Sequence, residues 1–350
     1  MLERLKIDGF KSIDSQEFSL KPITILTGIN SSGKSTVIQS LLILSSAISN
    51  SSVLNTYVKK FTNFNEVRNK YTNARKITFY TEEANGLFSM EYNLFLPNEL
   101  GLKSDMRITE NWDRLIFEKN LFYISANRVG QEDIAEYDEE IKFGTNGKYI
   151  FGYFEQNKDK EVYKKLIRYT QHNTLEAQLS YWLKYILDID LRVETSKITS
   201  SSVKVSFSSD GLNDLSPFNL GAGNSYLAKI LIIGLSCQKD NIFIVENPEI
   251  HLHPKAQARL SDFFVMLGNS GIQVILETHS EHIINKLRYN IYKNNFHSDN
   301  AIIYYKQDSR IDFILLMINE NGHFTDDENN IVEFPTGFFD STLDELLEIM

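Results

Sequence analysis

Leu2, Leu5, Ile7 and Phe10 interleave with charged positions, which predicts a strand over 1–13. Residues 23–27 form a short β-branched run, followed by GINSSGKST and the apolar-rich Val37 to Ile48. That order predicts strand, tight loop and helix. Ser49 to about Val67 is rich in Ser and Asn and reads as a loop. Residues 76–82 and 87–96 predict an antiparallel hairpin, and 120–125 a further strand. Residues 161–188 carry apolar positions at helical spacing and predict one or two amphipathic helices; 190–208 return to strand alternation. A Gly-rich turn at 219–225 precedes an apolar helix from Tyr226 to Cys237. Buried strands are predicted at 241–246 and 272–277, helices at 255–267 and 280–293, and strands near 301–306 and 311–318. Ser341 to Met350 predicts a short acidic amphipathic helix. There is no internal repeat and no sustained heptad pattern.

A chain of 350 residues fits two domains, or one large domain with an insertion. Its hydrophobic content of 42% and charged content of 23% are those of an ordinary soluble protein. The formal charge of −10 excludes a uniformly basic nucleic-acid surface and leaves a local basic groove open. The single cysteine, Cys237, makes no internal disulfide, which points to a reducing compartment. The N-terminus has no long apolar core, and runs such as Ile230 to Leu235 fall far short of the ~20 residues that span a bilayer. A soluble, cytoplasmic protein without a membrane partner is expected.

Residues 28–35 match G-x-x-x-x-G-K-S in full, with a predicted strand before and a helix after. Gly28 and Gly33 permit backbone angles that a side chain would obstruct. The loop can then turn the N–H groups of Asn30, Ser31, Ser32 and Gly33 around a triphosphate, at the positive end of the helix that carries Thr36. Lys34 would reach the β- and γ-phosphates, and the Ser35 hydroxyl would bind Mg²⁺. No Asn-Lys-x-Asp tetrad for guanine is found, so ATP is favoured.

Four apolar residues, Ile242 to Val245, end in Glu246 and run into Asn247-Pro248-Glu249-Ile250-His251-Leu252-His253-Pro254. A carboxylate at the end of a buried strand is where a phosphate-loop enzyme holds Mg²⁺. A second such strand runs into Thr278-His279-Ser280, where His279 would hydrogen-bond the γ-phosphate or the attacking water. His251 and His253 have zinc spacing, but no second pair stands out. His253 is expected to cap or pack the loop beside Pro254, and His282 to lie at the surface or in a cap.

These segments together resemble the ABC-type ATPase heads of RecF, SMC and OLD-like proteins. LERLKIDGFKSI resembles their first strand, TILTGINSSGKST their Walker A and NLGAGNSYL a degenerate signature motif. IFIVENPEIHLHPKAQ resembles their Walker B and D-loop, and ILETHSEHIINKLR their histidine switch. YISANRVG at 123–130 and FPTGFFD at 334–340 are similar to a bacterial AAA-labelled RecF-type branch.

The resemblance implies an α/β P-loop head with a mixed sheet, a discontinuous nucleotide core at 1–48 and 215–340, and an insertion at 49–214 of β hairpins and helices. It implies a head-to-tail homodimer in which Gly221, Gly223 and Ser225 of one copy meet the γ-phosphate bound by the other. A plain helix N-terminus capped by Ser225 is the alternative for that turn. Asn247 stands where most such heads place the catalytic glutamate, and an amide cannot accept a proton as a carboxylate does. Hydrolysis is then slow, or Glu249 takes over. The chain beyond His279 is too short for a Toprim nuclease domain, and heptads for SMC arms are absent. The resemblance therefore implies a switch acting with a separately encoded nuclease or toxin, or on DNA or RNA, in defence against phage or in DNA repair. A transporter-type nucleotide-binding subunit and a monomeric P-loop kinase are the competing readings.

Overall fold

The computed structural model describes residues 1–49, 54–83, 86–95, 103–110 and 112–335. The helix expected over 341–350 and residues 336–340 of the FPTGFFD element lie outside the described residues.

In chain order the first part runs β1 (Arg4–Phe10), β2 (Ile13–Ser19), β3 (Ile23–Gly28), α1 (Ser35–Ile48), α2 (Phe64–Val67), β4 (Lys76–Glu83), β5 (Phe88–Phe95) and β6 (Lys103–Ile108). Then come β7 (Leu121–Ile124), β8 (Ile134–Glu136), α3 (Ile150–Asn157), α4 (Leu175–Leu187), β9 (Leu191–Lys197), β10 (Ser202–Ser209) and β11 (Leu212–Leu215). The last part is α5 (Ala222–Ser236), β12 (Ile242–Glu246), α6 (Pro254–Asn269), β13 (Gln273–Glu277), α7 (Glu281–Tyr292), β14 (Ala301–Lys306), β15 (Ile314–Ile318) and β16 (Phe324–Thr325).

The chain divides into two compact units, one of residues 2–112 and 279–350, the other of 113–278 with Met1. In the first, β2-β1-β4-β5-β6 form an antiparallel sheet. β1 alternates as its sequence does, burying Leu5 and Ile7 between half-exposed neighbours. All six residues of β6, the last strand of this order, are exposed. The same unit holds β16-β15-β14-β3, in which β3 and β14 are parallel and the other pairs antiparallel. β3 is buried throughout, as an apolar strand covered on both faces must be.

In the second unit β13, β12 and β7 are parallel neighbours. β10 pairs antiparallel with β9, β8 and β11. The apolar α5 buries most of its length. α6 begins at Pro254, whose missing N–H costs nothing in the first turn.

Four expectations need correction. The helical pattern over 161–188 yields α4 only; a 3₁₀ turn at Lys164–Leu166 and irregular chain precede it. The Gln178 side chain explains this: its oxygen accepts the N–H groups of Arg168 and Tyr169, and its amide donates to the carbonyls of Tyr169 and His172. It thereby satisfies loop backbone that a helix would otherwise satisfy. The single strand expected over 1–13 is β1 followed by β2, which turn about Lys11 in a left-handed conformation. The helix after the Gly-rich turn starts at Ala222 with Gly221 at its N-cap, so Ser225 lies inside the first turn and is not the cap. The loop expected over Ser49 to about Val67 ends in the short helix α2, and β6, β8, α3, β11 and β16 were not expected.

Candidate functional site

The phosphate loop leaves β3 at Gly28 and enters α1 at Ser35. Gly28 has φ 131° and Gly33 φ 109°, both left-handed-side conformations that exclude ordinary side chains. Space enforces the same choice. A Cβ on Gly28 would lie 2.1 Å from the Lys306 carbonyl oxygen, and one on Gly33 2.0 Å from Ser12 Oγ. Ile29 N–H donates to the Lys306 carbonyl at 3.1 Å, tying the loop's entry to β14. Ser12, in the turn between β1 and β2, thus seals the loop's exit.

Lys34 is buried, and its Nζ donates to the carbonyls of Gly28 at 3.1 Å and Ile29 at 2.7 Å. α1 starts without a side-chain cap; the N–H groups of Thr36 and Val37 donate to the carbonyls of Gly33 at 3.0 Å and Lys34 at 3.1 Å, which leaves the N–H groups before them to the loop. Ser32 Oγ is buried and has no hydrogen-bond partner among the described residues. Asn30 and Ser31 are exposed, and Ser31 is left-handed at φ 62°. A cradle with no room for Cβ atoms, an uncapped helix start and an unsatisfied buried hydroxyl fit a phosphate group. Thr36 is buried with Oγ1 3.5 Å from Ser12 Oγ, so it braces the loop from beneath.

His279 belongs to the same unit as the loop. Burial lowers its pKa below the ordinary histidine value, and the Lys34 ammonium lowers it further. The imidazole is therefore neutral at pH 7, able to donate from one nitrogen and accept at the other.

The other unit carries the second set. Glu246 ends β12 beside Glu277, its register partner on β13. Its carboxylate accepts the Ala126 N–H at 3.1 Å and the Tyr123 hydroxyl. Burial raises its pKa, against the pull of the Ala126 N–H, Tyr123 and Arg128. Asn247 is left-handed at φ 44° and donates its N–H to the Glu277 carbonyl at 2.7 Å. Arg128 is buried and donates to the carbonyls of Ser125 at 3.2 Å, Glu246 at 2.8 Å and Asn247 at 2.8 Å. Glu249 accepts a hydrogen bond from Thr278 Oγ1 at 2.8 Å.

The Gly-rich turn and the histidine loop meet in this unit. A Cβ on Gly223 would lie 2.4 Å from the His251 carbonyl oxygen, whereas one on Gly221 would touch nothing within 4 Å. A cavity of about 270 Å³ is lined by Gly221, Gly223, Asn224, His251, His253 and Lys255. Ser225 is buried. His251 is exposed and stacks on Tyr226, while the His253 ring caps α6 by accepting the Lys255 N–H at 3.3 Å. Among the described residues no three His, Cys, Asp or Glu are grouped to hold a metal ion. Nor is any helix among them long and apolar enough to cross a membrane.

Sequence reasoning did not single out Ser12, Tyr123, Arg128, Tyr226 or Glu277. The signal for Glu277 was available: like Glu246, it is a carboxylate closing a short apolar run.

A family model described as "AAA domain, putative AbiEii toxin, Type IV TA system" matches residues 23–285. A curated relative, the energy-coupling factor transporter ATP-binding protein EcfA2 of Streptococcus thermophilus, is 32% identical over 71 residues. That match covers 20% of this chain and 25% of the relative, so the chain spans about a quarter of that protein's length. Among solved structures, an Smc head bound to the C-winged helix domain of ScpA aligns with TM-score 0.55 at 12% identity, over 90% of this chain and 97% of that one. An Smc head with an extended coiled coil, bound to the C-terminal domain of ScpA derived from Pyrococcus furiosus, aligns with TM-score 0.54 at 12% identity, over 99% of both chains. The structural likeness is one of fold, and the family match covers the greater part of the sequence. The chain belongs to this AAA-domain family of the AbiEii description and has the fold of an ABC/SMC-type P-loop ATPase head.

Proposed function

We propose that this chain is an Mg²⁺-dependent ATPase that switches a partner by closing into a head-to-tail homodimer. Its nucleotide core would be 1–48 with 215–340, and 49–214 an insertion in one head. The observation that carries the reading is the phosphate cradle, in which backbone and Ser12 leave no space for side chains at Gly28 and Gly33.

ATP brings the transferable γ-phosphoryl group, and Mg²⁺ offsets its charge. Lys34 would exchange the carbonyls of Gly28 and Ile29 for phosphate oxygens. Ser35 and Glu246 would hold Mg²⁺. The Asn247 amide can orient a water but cannot take its proton. Glu249 is the carboxylate available for that task, with neutral His279 as a second acceptor. Gly221 would face the nucleotide of a second copy, and the open space there supports this; Gly223 and Ser225 are buried in this chain and would support the turn from behind. The type IV toxin–antitoxin description of the family supports a separately encoded effector, in defence against phage, as the switched partner. DNA or RNA is a further candidate. The solved Smc heads are bound to ScpA domains, which supports an ATPase head as a platform for a partner protein.

The test is calorimetry and sizing of the full chain with Mg²⁺. ATP should bind the wild type and bind Lys34→Ala on the order of tenfold or more weakly, as loss of a charge-assisted contact requires. A non-hydrolysable ATP analogue, and not ADP, should produce a dimer. Unchanged affinity in Lys34→Ala would reject the reading, and a strict monomer with bound analogue would reject the dimeric switch.

A further inference from the structure

We propose that Arg128 is a positioning residue for the Glu246–Asn247 turn, and that its stack through Tyr226 to His251 ties this turn to the first turn of α5.

Successive carbonyls of a strand point to opposite sides. Those of Glu246 and Asn247 both reach Arg128, at 2.8 Å each, because Asn247 leaves the strand in the left-handed region. One guanidinium thus holds the point where the chain turns away from β12. Its third acceptor, the Ser125 carbonyl, belongs to the segment whose next N–H, that of Ala126, binds the Glu246 carboxylate. A single loop after β7 therefore grips both the backbone and the side chain of Glu246. Burial pushes the guanidinium pKa down to about 10, against the opposing pull of Glu249 and Glu246, so the ion remains charged at neutral pH.

The grip continues outward. Arg128 lies over the Tyr226 ring at 5.1 Å, and Tyr226 stacks on His251 at 5.2 Å with a 23° tilt. Gly130 keeps the loop close to the ring, since a Cβ there would be 3.0 Å from the Tyr226 hydroxyl. Tyr226 stands in the first turns of α5, beside the residues read above as the signature turn. Gly223 contacts the His251 backbone from the same helix end. A shift of this helix end is felt by the 246–253 segment through a ring stack and through backbone contact. The catalytic meaning of the turn rests on the proposed ATPase reading; the coupling itself does not.

The experiment is hydrogen exchange followed by mass spectrometry on the full chain, comparing wild type, Arg128→Gln, Tyr226→Leu and Tyr226→Phe. Exchange over 246–253 should quicken about tenfold or more in Arg128→Gln, which loses charge-assisted bonds. It should quicken a few-fold in Tyr226→Leu, which loses the cation–π contact and the stack. Tyr226→Phe keeps the ring and should exchange as wild type does, and residues 301–306 should be unchanged in all. Unchanged exchange over 246–253 in Tyr226→Leu, or equal loosening in Tyr226→Phe, would overturn the proposal. If Arg128→Gln does not fold, the Tyr226 pair decides alone. In ATPase assays Tyr226→Leu should lower kcat several-fold with KM nearly unchanged, as misplacement of a reacting group does. A raised KM with unchanged kcat would also overturn it. A wild type without ATPase activity would reject the proposed function, while the exchange measurement still decides the coupling.

Discussion

Glu246 and Glu277 stand side by side, in register, at the carboxyl ends of the parallel strands β12 and β13. The Tyr123 hydroxyl donates to Glu246 and feels the charge of both carboxylates.

The first prediction concerns this ionisation. Burial raises the Glu246 pKa, so the folded chain retains a proton that the unfolded chain releases. Its contribution to stability is full below the ordinary carboxylate value of about 4.3 and is lost as pH rises through the folded value. Glu246→Gln escapes this loss. The variant should melt higher than wild type at pH 7, by roughly 1–2 °C for each kcal/mol relieved, and no higher at pH 4. Melting curves at the two pH values check it. A variant that melts lower at pH 7 would mean that the bonds from Ala126 and Tyr123 outweigh desolvation.

Glycine substitutions should separate the cradle from the signature turn. Gly28→Ala drives a methyl group into the Lys306 backbone from a positive φ, a loss of several kcal/mol of the kind that unfolds marginal proteins. Gly221→Ala meets open space at φ −59° and should leave the melting temperature within about a degree, since an N-cap exchange of this kind costs only tenths of a kcal/mol to ~1 kcal/mol. Its effect should appear instead as weaker analogue-induced dimerisation. Calorimetric melting and sizing of both variants measure this.

Asn247→Glu should raise the steady-state ATPase rate and lower stability together. A positioned base is worth roughly 10²–10⁴-fold in rate. The position is left-handed, which Asn tolerates and Glu does not, at a cost of about 1 kcal/mol. Glu249→Gln should lower the rate strongly and leave ATP affinity nearly unchanged. If Glu249→Gln keeps full activity and only its melting temperature falls, Glu249 is a partner for Thr278 and not a base.

His279 should report the charge on Lys34. Its pKa lies below the ordinary value of about 6.5, first through burial and second through Lys34. As pH falls from 6.5 through the depressed value, the folded chain resists protonation and stability declines. Lys34→Met should raise the His279 pKa and soften that decline. Titration of the imidazole by NMR reads the shift directly, and an unmoved pKa would separate the two groups.

Much of the candidate site was legible because its chemistry is contiguous. The phosphate loop, the Glu246 strand and the Thr278-His279-Ser280 turn each announce themselves within ten residues. β14 was foreseen at its true bounds because five apolar or aromatic residues, closed by Lys306, define it. What stayed hidden depends on partners distant in sequence. Nothing near Gly33 says that Ser12 fills the space above it. Nothing near Glu246 says that Arg128 holds its carbonyl. Asn247 looked like a lost glutamate; its left-handed backbone, with both flanking carbonyls drawn to Arg128, supplies a physical reason for an amide there. β6 escaped because KSDMRI has no buried face to imprint an alternation.

That last strand has a use of its own. β5 buries Met90, Tyr92 and Leu94, and as an outermost strand it would offer an apolar template to any passing chain. β6 takes the outer place instead, with Lys103, Asp105 and Arg107 at every second position. Charges so spaced make an added strand costly along the whole edge. β6 is thus a sacrificial fender: it forgoes a core of its own so that the sheet behind it stays closed to aggregation.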